Sequence, residues 1–137
     1  MKLTGNRANT FLNAPKADII GVLLFGPDRG LARERALALS QKYIPEPDPF
    51  SVTTLTADDL TGDPAKLSDE MSALSLLGDD RLVHLRLDHE RSGAAIAKVI
   101  KSFDASPQLA ASKLIIEAGD MTPRSAVRKA FEAAGNF

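Results

Sequence analysis

Ile19-Ile20-Gly21-Val22-Leu23-Leu24-Phe25-Gly26-Pro27-Asp28-Arg29-Gly30-Leu31-Ala32-Arg33 is the stretch that decides the fold. Its first seven residues are almost continuously apolar. Such a run reads as a strand with both faces covered, as in a parallel sheet, and places Ile19 to Phe25 in the sheet interior. Gly26 to Gly30 then reads as a turn. From Leu31 a helix is predicted, with Ala32, Ala36, Leu39 and Tyr43 at helical spacing, and it stops before Pro45.

The pattern repeats outward from there. On the N-terminal side, Asn6 to Asn13 reads as a short helix ended by Pro15. On the C-terminal side, Phe50 to Leu55 alternates and is rich in β-branched residues, so it reads as a second strand. Asp63-Pro64 suits a helix start, with Asp as N-cap and Pro at the first helical position. That helix carries Leu67, Met71 and Leu74 on one face. Arg81 to Leu87 is the third predicted strand. Ile96, Val99, Ile100 and Phe103 mark the next helix, and Lys113 to Glu117 the fourth strand. Thr122-Pro123 opens a last helix with Val127, Ala130, Phe131 and Ala134 facing inward. Strands alternating with helices predict an α/β domain with a parallel sheet flanked by helices. The alternation calls for another strand after Gly135-Asn136-Phe137, so the chain reads as one domain, residues 1–137, cut from a larger protein.

Bulk properties narrow the function. The 137 residues suffice for one domain with a core, and 44% hydrophobic and 26% charged residues are ordinary for a globular protein. The absence of cysteine excludes disulfides, zinc thiolate sites and thiol nucleophiles. No apolar run approaches the ~20 residues of a membrane span, and the N-terminus lacks a signal-peptide core, so the expected location is the cytoplasm. With a net charge of −1 and interspersed signs, no basic face for duplex DNA is visible.

The strand, glycine turn and helix stand where a phosphate-binding loop would stand. A working loop reads G-x-x-x-x-G-K-[ST]; its Lys contacts the β- and γ-phosphates and its hydroxyl holds Mg²⁺. Counted from Gly26, the second glycine comes one residue early, at Gly30. Ala32 occupies the Lys position and Arg33 the Ser/Thr position. The phosphate cation and the metal ligand are both missing, so the loop is degenerate. At the end of the fourth strand, Glu117 is followed by Ala118 where a hydrolysing domain would have paired acids. No cofactor and no metal site are expected. Arg29 and Arg33 remain available to an anion at the helix N-terminus. His84 reads as a strand residue and His89 as a loop residue, without metal-pair spacing. Asp58-Asp59 and Asp79-Asp80 read as turn or cap acids.

Three segments carry a family resemblance. Leu23 to Arg35 resembles the degenerate first loop of the delta subunit of the bacterial DNA polymerase III clamp loader. Ala73-Leu74-Ser75-Leu76-Leu77-Gly78-Asp79-Asp80-Arg81-Leu82-Val83 resembles its clamp-binding element and the strand after it. Leu114 to Ser125 resembles its fourth strand and the following helix start. The resemblance implies an AAA+-type N-terminal domain that has lost ATP binding. It implies a binding module rather than an enzyme: the domain grips the sliding clamp and helps open it for loading onto primed DNA. ATP is handled by the gamma/tau subunits, and assembly with these and with delta-prime uses helical lid and collar domains not present here. DNA is met only through the complex.

Ser75, Leu76 and Leu77 are the clamp-binding residues the resemblance implies. Helical geometry is compatible with this. Leu67, Met71 and Leu74 share a narrow stripe, whereas Leu76 falls roughly 180° and Leu77 roughly 80° from its centre. The alternative is that the chain leaves the helix at Ser75 and both leucines pack under the sheet. The sequence departs from the family in having Leu77 where Phe is usual and Ser72 where glutamine is frequent. Two rival readings are a P-loop enzyme, kinase or ATPase, opposed by Ala32 and Arg33, and another AAA+-like structural subunit. Of the latter, delta-prime typically carries a zinc-binding cysteine cluster, which this chain lacks.

Overall fold

The computed structural model of the chain describes residues 3, 6–47, 50–73 and 80–137. Four strands form one all-parallel sheet: β1 (Gly21–Leu24), β2 (Val52–Thr56), β3 (Leu82–Leu87) and β4 (Lys113–Ala118), in the order β1-β4-β3-β2. Helices α2 (Arg29–Tyr43), α3 (Ala57–Gly62), α4 (Lys66–Ser72) and α5 (Gly93–Ala105) connect them, with α1 (Asn6–Asn13) before β1 and α6 (Ala126–Ala133) after β4. The predicted α/β architecture is thus the observed one.

Two apolar layers hold the sheet. On one face Ala36 and Leu39 of α2 pack with Leu82 and Ile115, joined by Leu12, Val22 and Leu24. On the other, residues of α3 to α6 cover Val83, Leu85, Leu114 and Ile116. Alternation along β3 and β4 therefore sends successive residues to opposite helical layers. Both faces are apolar because both are covered, and full burial of such a side chain contributes about 1.5–3 kcal/mol.

The first strand departs from expectation. β1 pairs with β4 alone among the described residues, so it lies at the edge of the sheet and not in its interior. Ile19, Ile20 and Gly21 are buried, but Val22 to Phe25 are only half-buried. A continuous apolar run reports that both faces of a strand are covered; it carries no information about whether both edges are paired. Along the free edge runs an apolar groove of ≈ 340 Å³, walled by Phe11, Leu12, Val22, Leu24, Phe131 and Phe137. Gly21 is required at its base: a Cβ there would sit 2.7 Å from the Phe137 ring.

Helix starts differ in detail. α3 was not anticipated, although Thr56 and Asp59 form a reciprocal capping box that the spacing Thr56-x-x-Asp59 announces. Asp63 is the C-cap of α3 rather than the N-cap of the next helix. Its carboxylate accepts from Ala65 N at 3.2 Å, and α4 begins only at Lys66. Thr122-Pro123 likewise forms a turn, and α6 starts after Ser125, whose hydroxyl accepts from Arg128 N at 3.2 Å. In both places an Asp or Thr before Pro closes a turn first, a use these side chains share with capping.

The strand order sets an exchange pattern. Amides of β3 and β4, bonded on both sides, are expected to exchange with deuterium more slowly than those of β1. Faster exchange in β4 than in β1 would contradict the topology.

Candidate functional site

At the ends where the parallel strands finish, β1 leads through Gly26 and Pro27 directly into α2. Asp28 is the N-cap, and its carboxylate accepts from Leu31 N at 3.0 Å. Gly26 N donates to Gly119 O at 3.0 Å, which ties the turn to the end of β4. Gly30 does not belong to the turn: it is the second residue of α2. Ala32 is buried in the same helix, and Arg33 projects from it. The four residues that the sequence suggested as a degenerate loop, Gly26, Gly30, Ala32 and Arg33, are therefore split between a short turn and the first turns of a helix. A phosphate cradle requires a longer loop with its amides pointing inward. Here the helix terminus is already capped by a carboxylate of the chain itself.

Beside the turn lies Glu117, on the α2 side of β4. It is only 6% exposed. Register places Glu117 next to Arg86 of β3, and Arg86 next to Thr56 of β2. Arg86 Nε donates to Glu117 Oε1 at 2.7 Å, and Arg33 donates to the same oxygen at 3.0 Å. Both guanidinium groups are about half-exposed, whereas the carboxylate is not. Arg29 completes the group; its guanidinium lies so close over Gly119 that a Cβ there would fall 2.7 Å from Nε. These side chains line a cleft of ≈ 370 Å³. Burying a carboxylate is costly unless cations pair with it, and here two do. Two of the three arginines that line this cleft, Arg33 and Arg86, are thus engaged by an internal carboxylate.

His84 sits one pleat back on the same face of β3, 5% exposed. Its Nε2 is 3.4 Å from Glu117 Oε1, without the alignment of a hydrogen bond. Burial, foremost, holds its pKa below the usual 6.5; the pull of Glu117 opposes this, and Arg33 and Arg86 add to the lowering. The imidazole is therefore neutral at pH 7, and the contact is not an ion pair. Sequence reading placed His84 in a strand but did not join it, or Arg86, to Glu117. The signal was present in the i, i+2 spacing of His84 and Arg86, which puts both on one face; which strand lay alongside was not legible.

The remaining candidates are separate. His89 Nε2 lies 2.7 Å from Asp58 Oδ1 on the surface, and Asp59 serves the α3 cap, as expected of cap acids. Among the described residues no group of three His, Asp or Glu is placed to hold a metal, and no described helix is long and apolar enough to cross a membrane. Ser75, Leu76 and Leu77 lie outside the described residues, as does Leu74. The points at which the chain enters and leaves that segment are described. Arg81, with its side chain 11% exposed, donates to Ala73 O at 2.9 Å and to Glu70 Oε2 at 3.3 Å.

No family model and no curated protein matches the chain. Among solved structures it is similar to a DNA polymerase III gamma-subunit-related protein from Thermotoga maritima. The TM-score is 0.53 and the identity 15%, over 90% of this chain and 42% of that one. At this identity the likeness is one of fold, a four-stranded parallel sheet with flanking helices. The chain spans less than half the length of that structure.

Two outcomes follow from the cluster. Replacing Arg33 or Arg86 singly by Ala should lower stability by about 1–2 kcal/mol, because the other guanidinium still pairs Glu117. The double replacement should cost about 3–5 kcal/mol, more than the sum, since it leaves a buried charge unpaired. Urea unfolding of the four-member cycle measures this; strict additivity would show that the two do not share Glu117. The second outcome concerns acid. In the unfolded chain His84 takes a proton near pH 6.5, whereas the folded form resists it. The unfolded state then binds more protons below that pH, so stability falls on acidification. His84→Gln should flatten the fall in unfolding midpoint between about pH 7.5 and 5.5, and an unchanged slope would remove His84 as its source.

Proposed function

We propose that this domain is a protein-binding module of a clamp loader, with the bacterial sliding clamp as partner and Leu76 and Leu77 as the contact. The observation that supports it most is the closed phosphate site. A fold of the clamp-loader type carries at its nucleotide position Ala32, Arg33 and a carboxylate, Glu117, bound to two arginines. An ATPase needs those arginines, or a Lys, free for phosphate, and a hydroxyl for Mg²⁺. A domain without them keeps the part of the work that requires no nucleotide, which is gripping a partner. On this reading the domain has no catalytic site and no cofactor. Other loader subunits supply ATP hydrolysis, and DNA is reached only through the assembly.

Adjacent leucines followed by Gly78 suit insertion into an apolar pocket. Burying both would contribute on the order of 3–6 kcal/mol before association costs. Leu76→Ala/Leu77→Ala should abolish capture of the clamp in surface plasmon resonance while leaving the urea midpoint nearly unchanged. Full-strength binding by the double variant would move the contact elsewhere. A stoichiometric Mg²⁺-dependent ATP complex in calorimetry would favour the nucleotide-enzyme reading instead.

A further inference from the structure

Glu117 engages two of the three arginines of its cleft; the third, Arg29, is the first residue of α2. Among the described residues Arg29 makes no hydrogen bond and no ion pair. Its guanidinium nevertheless has a defined seat at the end of β4. A Cβ on Gly119 would lie 2.7 Å from Arg29 Nε and 2.8 Å from Cζ and Nη2. The backbone of Gly119 does not itself call for glycine, since its φ is not positive. What the missing side chain makes room for is the Arg29 guanidinium, which lies over the strand end beside the cleft.

Arg33 and Arg86 are only partly used. Arg33 reaches Glu117 Oε1 through Nη1 at 3.0 Å, and Arg86 reaches it through Nε at 2.7 Å. A guanidinium carries several N–H donors in a fixed fork. The other nitrogens of both side chains have no partner among the described residues, and both side chains are about half-exposed. Glu117 therefore cancels one charge, and it fixes two forks whose remaining donors face outward. Two carboxylates line the same cleft, Glu117 and Asp88. Asp88 is 70% exposed, so water and salt screen its charge. The nearby Asp28 is committed to the α2 cap. One cation, Arg29, is thus left unmatched in a cleft of ≈ 370 Å³ that already holds two oriented guanidinium groups.

We propose that this cleft binds one small oxyanion, a phosphate or carboxylate group, between Arg29 and the outward nitrogens of Arg33 and Arg86. Guanidinium forks match the paired oxygens of such groups and bind them through charge-assisted hydrogen bonds. Arg29 supplies the charge that Glu117 does not cancel. Glu117 and Gly119 are positioning residues: the first aims Arg33 and Arg86, and the second seats Arg29. This differs from a nucleotide site. Asp28 takes the Leu31 amide at the helix terminus, and Ala32 and Arg33 stand where a triphosphate needs Lys and a metal-binding hydroxyl. A single oxyanion needs neither. The inference is independent of the clamp-binding reading.

Arginine Nε–H resonances in ¹H–¹⁵N spectra, followed while inorganic phosphate or acetate replaces chloride at constant ionic strength, test this. The expected result is a saturable shift of the Arg29 and Arg86 signals, half-complete at or below about 10 mM of the tighter anion. Tighter phosphate binding identifies the source as a phosphate group; tighter acetate binding identifies it as a carboxylate such as an acidic side chain. Arg29→Ala should weaken binding about tenfold or more with the urea midpoint nearly unchanged, because Arg29 pairs with no carboxylate in the fold. Gly119→Ala keeps every charge and displaces only the Arg29 guanidinium, so it should weaken binding by a similar factor. Shifts that do not saturate, or an Arg29→Ala variant that binds within about twofold of the wild type, would overturn the site. A Gly119→Ala variant of unchanged affinity would overturn the seat assigned to Arg29. Mg²⁺-ATP bound more than about tenfold more tightly than phosphate would overturn the single-oxyanion reading in favour of a nucleotide site.

Discussion

A carboxylate at the end of an inner strand is the constraint around which this domain is arranged. Glu117 is nearly inaccessible to water, and desolvating an unpaired charge would cost several kcal/mol. Two elements answer it: Arg33 from α2 and Arg86 from β3. Their bonds converge on one oxygen and tie the first crossover helix to the two inner strands. His84 is forced into the neutral state nearby, because a further cation would be buried among them. Asp28 performs a related task at the start of α2, taking the Leu31 amide. Arg33, Arg86 and the Leu31 amide are thereby matched from within the chain.

This has a consequence for where the domain meets other molecules. In open α/β sheets ligands usually sit beyond the carboxyl ends of the strands. Here that end holds Glu117 with Arg33 and Arg86 bound to it, and Arg29 lines the same cleft. The opposite end, where strands begin, carries exposed Phe50 and Leu109 beside the anchors of the leucine segment. Phe50 and Leu109, the most exposed large apolar side chains among the described residues, stand at strand entries instead. The Arg81 network is the counterpart of the Glu117 cluster at that pole. One half-buried guanidinium there collects oxygens as one buried carboxylate here collects cations.

Much of the fold was legible because it is written in local patterns. The β3 and β4 runs are largely apolar on both faces, and α2, α5 and α6 carry helical stripes whose members are buried apart from the half-buried Tyr43 and Val99. What failed were features set by neighbours. The run Ile19 to Phe25 gave a strand covered on both faces, but strand order put it at the edge. Asp63-Pro64 and Thr122-Pro123 gave helix starts two to three residues early, because the same chemistry closes turns. α3 is six residues long and too short for periodicity to reveal; only its capping box betrays it.

The site was legible to a different degree at each of its parts. The missing Lys and hydroxyl are single positions in a motif, and Ala32 and Arg33 stand where counting put them. The role of Arg33 was not, since it depends on Glu117, 84 residues away in sequence. Arg86 was missed for the same reason. An arginine on a half-polar strand looks like a solvated residue until register sets it beside a buried acid. Sequence therefore reports which chemistry has been lost from the loop, whereas the pairing that replaces it becomes visible only once the strands are aligned. Arg33 of α2 and Arg86 of β3 are bound to a carboxylate that the fold could not leave unpaired without burying a charge alone.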